Sequence, residues 1–457
     1  MVSETVVKVA TEALGTGLLV FTIGCNVLSS NGVWGVLSTA CVFIALVYIF
    51  TAVSGAHFNP AVTLAHAVIG RMKFGEAGMY IGAQLLGGIC GAVAYRWLFY
   101  ETVFFAPMAG VSPWAAAVAE GIYTFMLCFV ILNTGPQRSK GHQFYGVAIG
   151  MALAAGGLGA RALSGACFNP AVAIAMDFAS AGLGFGWSVV YVGFELAGTA
   201  LACVCFRYLR PQEFFAGTSR ELEVREASLP QMVAGEAIGT FLIVLTFALG
   251  AAANSPGAAL GVGAAVLSLT FSLGDICGVH FNPAITIAVT TSCRGKCSSS
   301  QALRFICAQL LGACLAAMVA RMLNPPAEQL LTHVGFSVAG AAFAELMFTF
   351  LVCLTFLATV ISDEPWKVTE YFGIAIGWAV IAAGYASQRI SGGFLNPASA
   401  LSLCLMGPHA VKTLFFRGLC YILAECVAAV LAASFFWHVS PDVHDSRRLE
   451  AIAYPKV

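Results

Sequence analysis

Four times along the 457-residue chain, a Glu is followed four residues later by Thr, then by Asn-Pro-Ala, then by Gln or Glu in the next apolar run. The first copy is Glu12, Thr16, Asn59-Pro60-Ala61 and Gln84. The second is Glu120, Thr124, Asn169-Pro170-Ala171 and Glu195. The third is Glu236, Thr240, Asn282-Pro283-Ala284 and Gln309, and the fourth Glu345, Thr349, Asn396-Pro397-Ala398 and Glu425. Pro at a first helical position is preorganised, and the preceding Asn caps the helix with its side-chain oxygen. The Asn NH2 group then points away from the helix as a donor. A carboxylate inside an apolar segment is either a proton or ion relay or an acceptor for backbone N–H groups of a neighbouring loop. Recurrence at one lattice position favours the second, structural role for Glu12, Glu120, Glu236 and Glu345. Gln84, Glu195, Gln309 and Glu425 carry a weaker form of that argument. No nucleophile, base or cofactor motif stands apart from the lattice, so the chain is not read as an enzyme and no cofactor is expected. Cys293 and Cys297 have C-x3-C spacing without a His or a second Cys pair beside them, so no metal site is expected.

The elements that must position these residues are apolar. The chain is 59% hydrophobic and only 10% charged, against about 25% charged in ordinary soluble domains. Such a chain cannot cover a soluble globule with solvated groups. Soluble enzymes and disordered proteins are excluded, and the balance of 22 basic and 22 acidic residues leaves no footprint for nucleic acid. The 16 Cys lie mostly singly in apolar runs and read as small hydrophobes. Stretches long enough to cross a bilayer, about 20 residues each, fall at 8–28, 34–54, 76–99, 114–134, 143–162 and 186–208. A second set falls at 230–252, 257–278, 302–323, 337–360, 371–388 and 412–437. Four shorter apolar segments of about 10 residues begin near Pro60, Pro170, Pro283 and Pro397, too short to span and hence candidate re-entrant half-helices. No cleavable signal peptide is read. With the N-terminus cytoplasmic, sixteen of the 22 Lys and Arg fall inside, which places both termini in the cytoplasm. The host membrane is the plasma membrane or that of an organelle.

Each copy holds three spans and one half-helix. Three is odd, so successive copies insert with opposite topology, the inverted-repeat plan of many transport proteins. Copies one and two form a six-span unit over 1–208. A polar cytoplasmic linker follows at 209–229, and copies three and four form a second unit over 230–457. The fold class is all-α and polytopic, with twelve spanning helices and four half-helices.

The segments SGAHFNPAVTLA (54–65), SGACFNPAVAIA (164–175), GVHFNPAITIA (278–288) and SGGFLNPASALS (391–402), with TEALGT, GEAIGT and AQLLGG, resemble the aquaporin (major intrinsic protein) family. The resemblance covers nearly the whole chain twice over, as two members fused in tandem. It implies that two half-helices per unit meet at the membrane midplane, pairing Asn59 with Asn169 and Asn282 with Asn396. Positive dipole ends and Asn donors would then face a narrow pore, interrupting a proton wire and repelling cations. It also implies a second constriction of an aromatic, a His, a small residue and an Arg after the second NPA. Those positions fall here at Thr39, Gly157, Ala166 and Val172, and at Val262, Gly384, Gly393 and Ser399. Neither set keeps the Arg, the His or an aromatic, so the filters are expected to be wide and weakly polar. Arg161 and Arg389 lie a few residues before the second NPA of their units. Each either swings inward and narrows the mouth or hydrates at the membrane surface. The resemblance also implies assembly as a tetramer of units, which a two-unit chain is expected to reach as a homodimer with four pores, its helices packing through small residues and its outer surface against lipid.

The leading reading is a passive channel for water and small neutral solutes of the glycerol or urea type. One rival is a twelve-span ion-coupled transporter, which requires ionisable groups facing a midplane cavity. The other is a non-conducting structural membrane protein.

Overall fold

The computed structural model describes residues 3–135, 143–180, 186–215, 227–323, 336–362, 371–404 and 411–439. Residues 216–226 of the expected linker and the C-terminal end from 440 fall outside that set, and with them the expected cytoplasmic placement of the C-terminus.

Among the described residues there are seventeen α-helices, one π-helical segment (Leu357–Ile361) and no strand. The first set is α1 (Glu4–Leu28), α2 (Gly32–Ser54), the short α3 (Pro60–Val68), α4 (Phe74–Phe99), α5 (Pro113–Thr134), α6 (Tyr145–Ser164), the short α7 (Pro170–Ala179) and α8 (Trp187–Leu209). A single turn, α9 (Gln212–Phe215), follows. The second set is α10 (Leu229–Ala252), α11 (Ala258–Leu273), α12 (Pro283–Thr291), α13 (Ser299–Leu323), α14 (Val338–Phe356), α15 (Phe372–Ser387), α16 (Pro397–Cys404) and α17 (Val411–Val439). The chain is an integral, multi-pass, all-α membrane protein, with ten helices among the described residues long and apolar enough to cross a bilayer.

The second and fifth long helices of the second set, α11 and α15, have 16 residues each, about 24 Å at 1.5 Å per residue. Each falls short of an ordinary span. The sequence reading carried α11 to residue 278, but the helix stops at Leu273. Gly274 follows, which favours an end to the helix, and the turn beyond it carries Asp275 to a partner in the first set.

Within each set the long helices approach closely at small residues. A Cβ added at Gly87 of α4 would overlap the Ala13 carbonyl of α1, and one at Gly91 would overlap the Gly17 carbonyl. Gly198 of α8 stands in the same relation to Gly121 of α5. In lipid, where apolar side chains gain little by leaving one another's company for hydrocarbon, such contacts supply the packing energy.

The two sets pack on each other through α5 and α6 against α10 and α11. Leu158, Leu260 and Ile381 form a buried cluster at this seam, and Tyr123 donates to Thr246 Oγ1 at 3.1 Å across it. Arg210, just beyond α8 and 1% exposed, clasps the seam at the face where α9 lies. Its guanidinium gives Asp275 two bonds of 2.6 and 2.7 Å, the Ser272 carbonyl one, and Asn133 Oδ1 one at 2.6 Å. Arg71, which follows α3, pairs with Glu213 of α9 at 2.6 Å. We call this side the linker face and the opposite one the far face.

Candidate functional site

Each set brings its two short helices together N-terminus to N-terminus. All four begin at the Pro of an Asn-Pro-Ala tripeptide. Asn59, Asn169, Asn282 and Asn396 accept from the backbone N–H of Ala61, Ala171, Ala284 and Ala398 at 2.8, 3.0, 2.8 and 3.0 Å. Pro60, Pro170 and Pro283 occupy the first helical turn, as Pro397 does at the start of α16. Asn59 Nδ2 donates to the Phe168 carbonyl and Asn169 Nδ2 to the Phe58 carbonyl, both at 2.9 Å. Asn282 and Asn396 exchange the same bonds with Leu395 and Phe281 at 2.8 and 3.0 Å. Each NH2 carries two hydrogens. One ties the half-helices to each other, and the second remains for the cavity that every one of these Asn residues lines.

The loops that deliver these Asn residues have an unusual backbone. Phe58, Phe168, Phe281 and Leu395, each just before the Asn, have φ of 49°, 55°, 50° and 54°. Non-glycine residues there cost on the order of 1 kcal/mol or more and need outside support. The repeat carboxylates meet that need. Glu12 accepts from the N–H of His57 and Phe58 at 3.0 and 2.7 Å. Glu120 accepts from Cys167 and Phe168 at 3.0 and 2.7 Å, and Glu236 from His280 and Phe281 at 2.9 and 2.7 Å. Glu345 accepts from Phe394 and Leu395 at 3.0 and 2.7 Å. Both oxygens of each carboxylate therefore hold loop backbone.

The second acid or amide of each copy behaves differently by copy. Gln84 donates to Glu12 and Thr63, and Gln309 to Glu236 and Thr286, at 2.8 to 2.9 Å. In copies two and four the residue is Glu. Glu195 and Glu425 accept from the N–H of Asn169 and Asn396 at 2.8 and 2.9 Å, while their Oε2 atoms have no hydrogen-bond partner among the described residues.

Two cavities follow the half-helix pairs. The first, about 770 Å³ with its open mouth, is lined by Thr39, Gly157, Ala166 and Val172 together with Asn59 and Asn169. The second, about 1130 Å³, is lined by Val262, Gly384, Gly393 and Ser399 together with Asn282 and Asn396. All eight positions drawn from the tripeptide offsets thus face a cavity. The first runs from the far face to the Asn pair, near Phe43 and Leu127. The second passes its Asn pair and reaches Val279, His280 and Ile376 on the linker side. Beyond the first Asn pair, His57 stacks on His66 with ring centroids 4.3 Å apart.

Of the two Arg residues before the second tripeptides, Arg161 lines the first cavity. Arg389 does not line the second, where Gln388 does. Sequence reasoning missed Asn26 and Phe105 on the first wall and Phe247, Phe394 and Gln388 on the second. Phe105 lies in the connection after α4, far from any tripeptide, and no spacing argument reaches it. Among the described residues, no carboxylate lines either cavity.

The sequence model of the major intrinsic protein family matches residues 2–206, 223–387 and 367–454. An Arabidopsis thaliana protein named as an aquaporin of type NIP4-1 is 36% identical over 174 residues, 36% of this chain and 61% of the relative. Aquaporin NIP1-2 of Oryza sativa subsp. japonica is 30% identical over 220 residues, 44% of this chain and 70% of the relative. Nodulin-26 of Glycine max is 34% identical over 186 residues, 37% of this chain and 66% of the relative. The chain thus spans about three fifths of the first relative's length, and each match falls on less than half of this chain.

Proposed function

The chain belongs to the major intrinsic protein family, and from that premise we propose that it is a passive channel for water and small neutral solutes, with two non-identical pores. The observation that carries this reading is the cavity at each half-helix pair, walled by two capped Asn residues and by small or medium side chains at the filter positions. Two helix N-termini facing one point raise the potential there and oppose cation passage. Each Asn keeps a hydrogen for a permeating oxygen. The solute class is glycerol- or urea-like, since the filter positions carry only small or medium residues, with no aromatic ring, His or Arg among them, around each cavity. An ion-coupled transporter needs a carboxylate on the permeation path, and the four repeat Glu residues are bound to loop backbone instead. The positive-inside asymmetry assigns the linker face to the cytoplasm.

Stopped-flow light scattering on proteoliposomes tests this directly. Fast water flux together with glycerol or urea flux, all with low activation energy, is the expected result. Vesicles no more permeable than empty ones would remove the channel reading.

The assembly we propose is a homodimer with four pores. Leu158 and Met151 of α6 and Leu242 of α10 are buried at or near the seam between the two sets. Their counterparts by repeat register, Tyr385, Trp378 and Leu18, are 45%, 52% and 43% exposed. A second copy related by a two-fold axis would seat α14 and α15 of each chain on α1 and α2 of the other, repeating the internal seam and closing the ring. Native mass spectrometry in detergent should give a dimer, and a predominant monomer or tetramer would overturn the assignment.

A further inference from the structure

The four positions that carry a filter by analogy hold no cation and no aromatic ring in either pore. The first cavity has both, from other elements. Arg161, four residues beyond Gly157 on α6, lines its mouth at the far face. Among the described residues no hydrogen bond or ion pair engages its guanidinium. Asn26, near the end of α1, lines the same mouth. Its Oδ1 accepts from Asn31 at 2.9 Å, and its buried Nδ2 has no hydrogen-bond partner among the described residues. Phe105 completes the wall, packed against Gly165, where an added Cβ would lie 2.7 Å from the ring. The mouth therefore presents one permanent positive charge, a buried amide donor and an aromatic face, with no acid among the described residues that line it. The second mouth differs in charge. Gln388 stands at the register of Arg161 and Gly250 at that of Asn26, while Asn254, just past the end of α10, lines it as a neutral amide and Phe247 and Phe394 keep the wall aromatic.

We infer that Arg161 and Asn26, supplied by the far-face ends of α6 and α1, form the charge-bearing filter of the first pore, which admits small neutral solutes that accept hydrogen bonds and turns back cations. The second pore has no charge at this point; its mouth holds the neutral amides of Gln388 and Asn254 and discriminates by size rather than by charge. The inference rests on the channel reading above and adds to it which pore passes what. Guanidinium stays protonated at any physiological pH and offers five donors in a fixed plane, so an oxygen-bearing solute entering the mouth finds partners for its lone pairs. A monovalent cation passing about 4 Å from an unpaired guanidinium is slowed by roughly fivefold even at the dielectric of bulk water, and by more as water is excluded.

The test uses the full chain in proteoliposomes with the second pore blocked by Val262→Trp, so that flux reports the first. Water, glycerol and methylammonium are the probes. Arg161→Gln, which installs the second pore's residue, should raise methylammonium flux roughly tenfold, a barrier change of about 1.4 kcal/mol. Water flux should stay within about twofold. Arg161→Lys keeps the charge and should keep methylammonium out. In the reciprocal background, with the first pore blocked by Thr39→Trp, Gln388→Arg should lower methylammonium flux by a similar factor. If water flux persists but Arg161→Gln and Arg161→Lys carry no more and no less methylammonium than the parent, Arg161 is a surface residue and the assignment falls. Absence of all flux in the unblocked parent would instead defeat the channel reading, and the filter with it.

Discussion

Glu120→Ala is expected to abolish solute flux through the first pore and to lower stability by about 2–6 kcal/mol. Glu120 is fully buried and accepts from the N–H of Cys167 and Phe168. Removing it orphans two backbone donors, each at about 1–3 kcal/mol, in a setting with no water to replace it. Phe168 has φ of 55°, and its carbonyl receives the Asn59 amide. A loop freed to leave that conformation takes both Asn residues off the cavity wall. The effect should be confined to its own half of the chain. In the Thr39→Trp background, flux through the second pore should survive Glu120→Ala. Glu195→Gln makes the contrast, because Glu195 Oε2 has no hydrogen-bond partner among the described residues and the amide keeps an oxygen for the Asn169 N–H. It also removes repulsion between two neighbouring acids, so its effect on melting in detergent should be under about 1 kcal/mol. A Glu120→Ala protein with parental melting temperature and parental first-pore flux would show that the carboxylate is not what holds the loop.

Gly87→Val is expected to prevent the first set from packing at all. Even the Cβ of alanine would overlap the Ala13 carbonyl across the α1–α4 crossing, and that contact is with backbone, which has no rotamer to change. Overpacking against side chains costs about 1–3 kcal/mol. Here the two helices must separate, and α4 carries Gln84, whose amide holds Glu12 and Thr63. We expect a loss above about 3 kcal/mol and little folded protein recovered in detergent. Leu86→Val, one residue away and outward-facing at 62% exposure, is the control and should leave the melting temperature unchanged. A Gly87→Val protein that melts with the parent would mean the crossing is looser than the geometry states.

The span plan was legible because its signals are strong and local. Apolar runs of fixed length repeat, and Asn-Pro-Ala carries its own cap and its own helix start, so α3, α7, α12 and α16 each begin at the expected Pro. The offsets from those tripeptides also led to eight residues that line cavities, because a helix of regular pitch carries register over three or four turns without loss. Register failed where regularity did. The α11 helix ends at Leu273, five residues before the apolar run does, since hydropathy does not report a helix stop followed by a tertiary ion pair. The partners of Glu195 and Gln84 were not legible either. One copy sets an acid beside an acid and the other an amide beside an acid, and only the folded loops show which atoms each one meets.

Arg161 and Arg389 make the division clear. In sequence they look equivalent, eight and seven residues before the Asn of the second tripeptide in their units. One residue is about 100° around a helix, and α15 ends at Ser387, one turn earlier by register than α6. Arg161 therefore meets a cavity and Arg389 does not. By itself the sequence determined the membrane environment, the fourfold lattice, the half-helices and their caps, because those depend on composition and on neighbours within a few residues. The tertiary structure alone decided which carboxylate oxygen meets which loop N–H, how Arg210 joins the two sets, and which pore carries a charge at its mouth. Each of these depends on the direction of a side chain brought in from a helix remote in the chain.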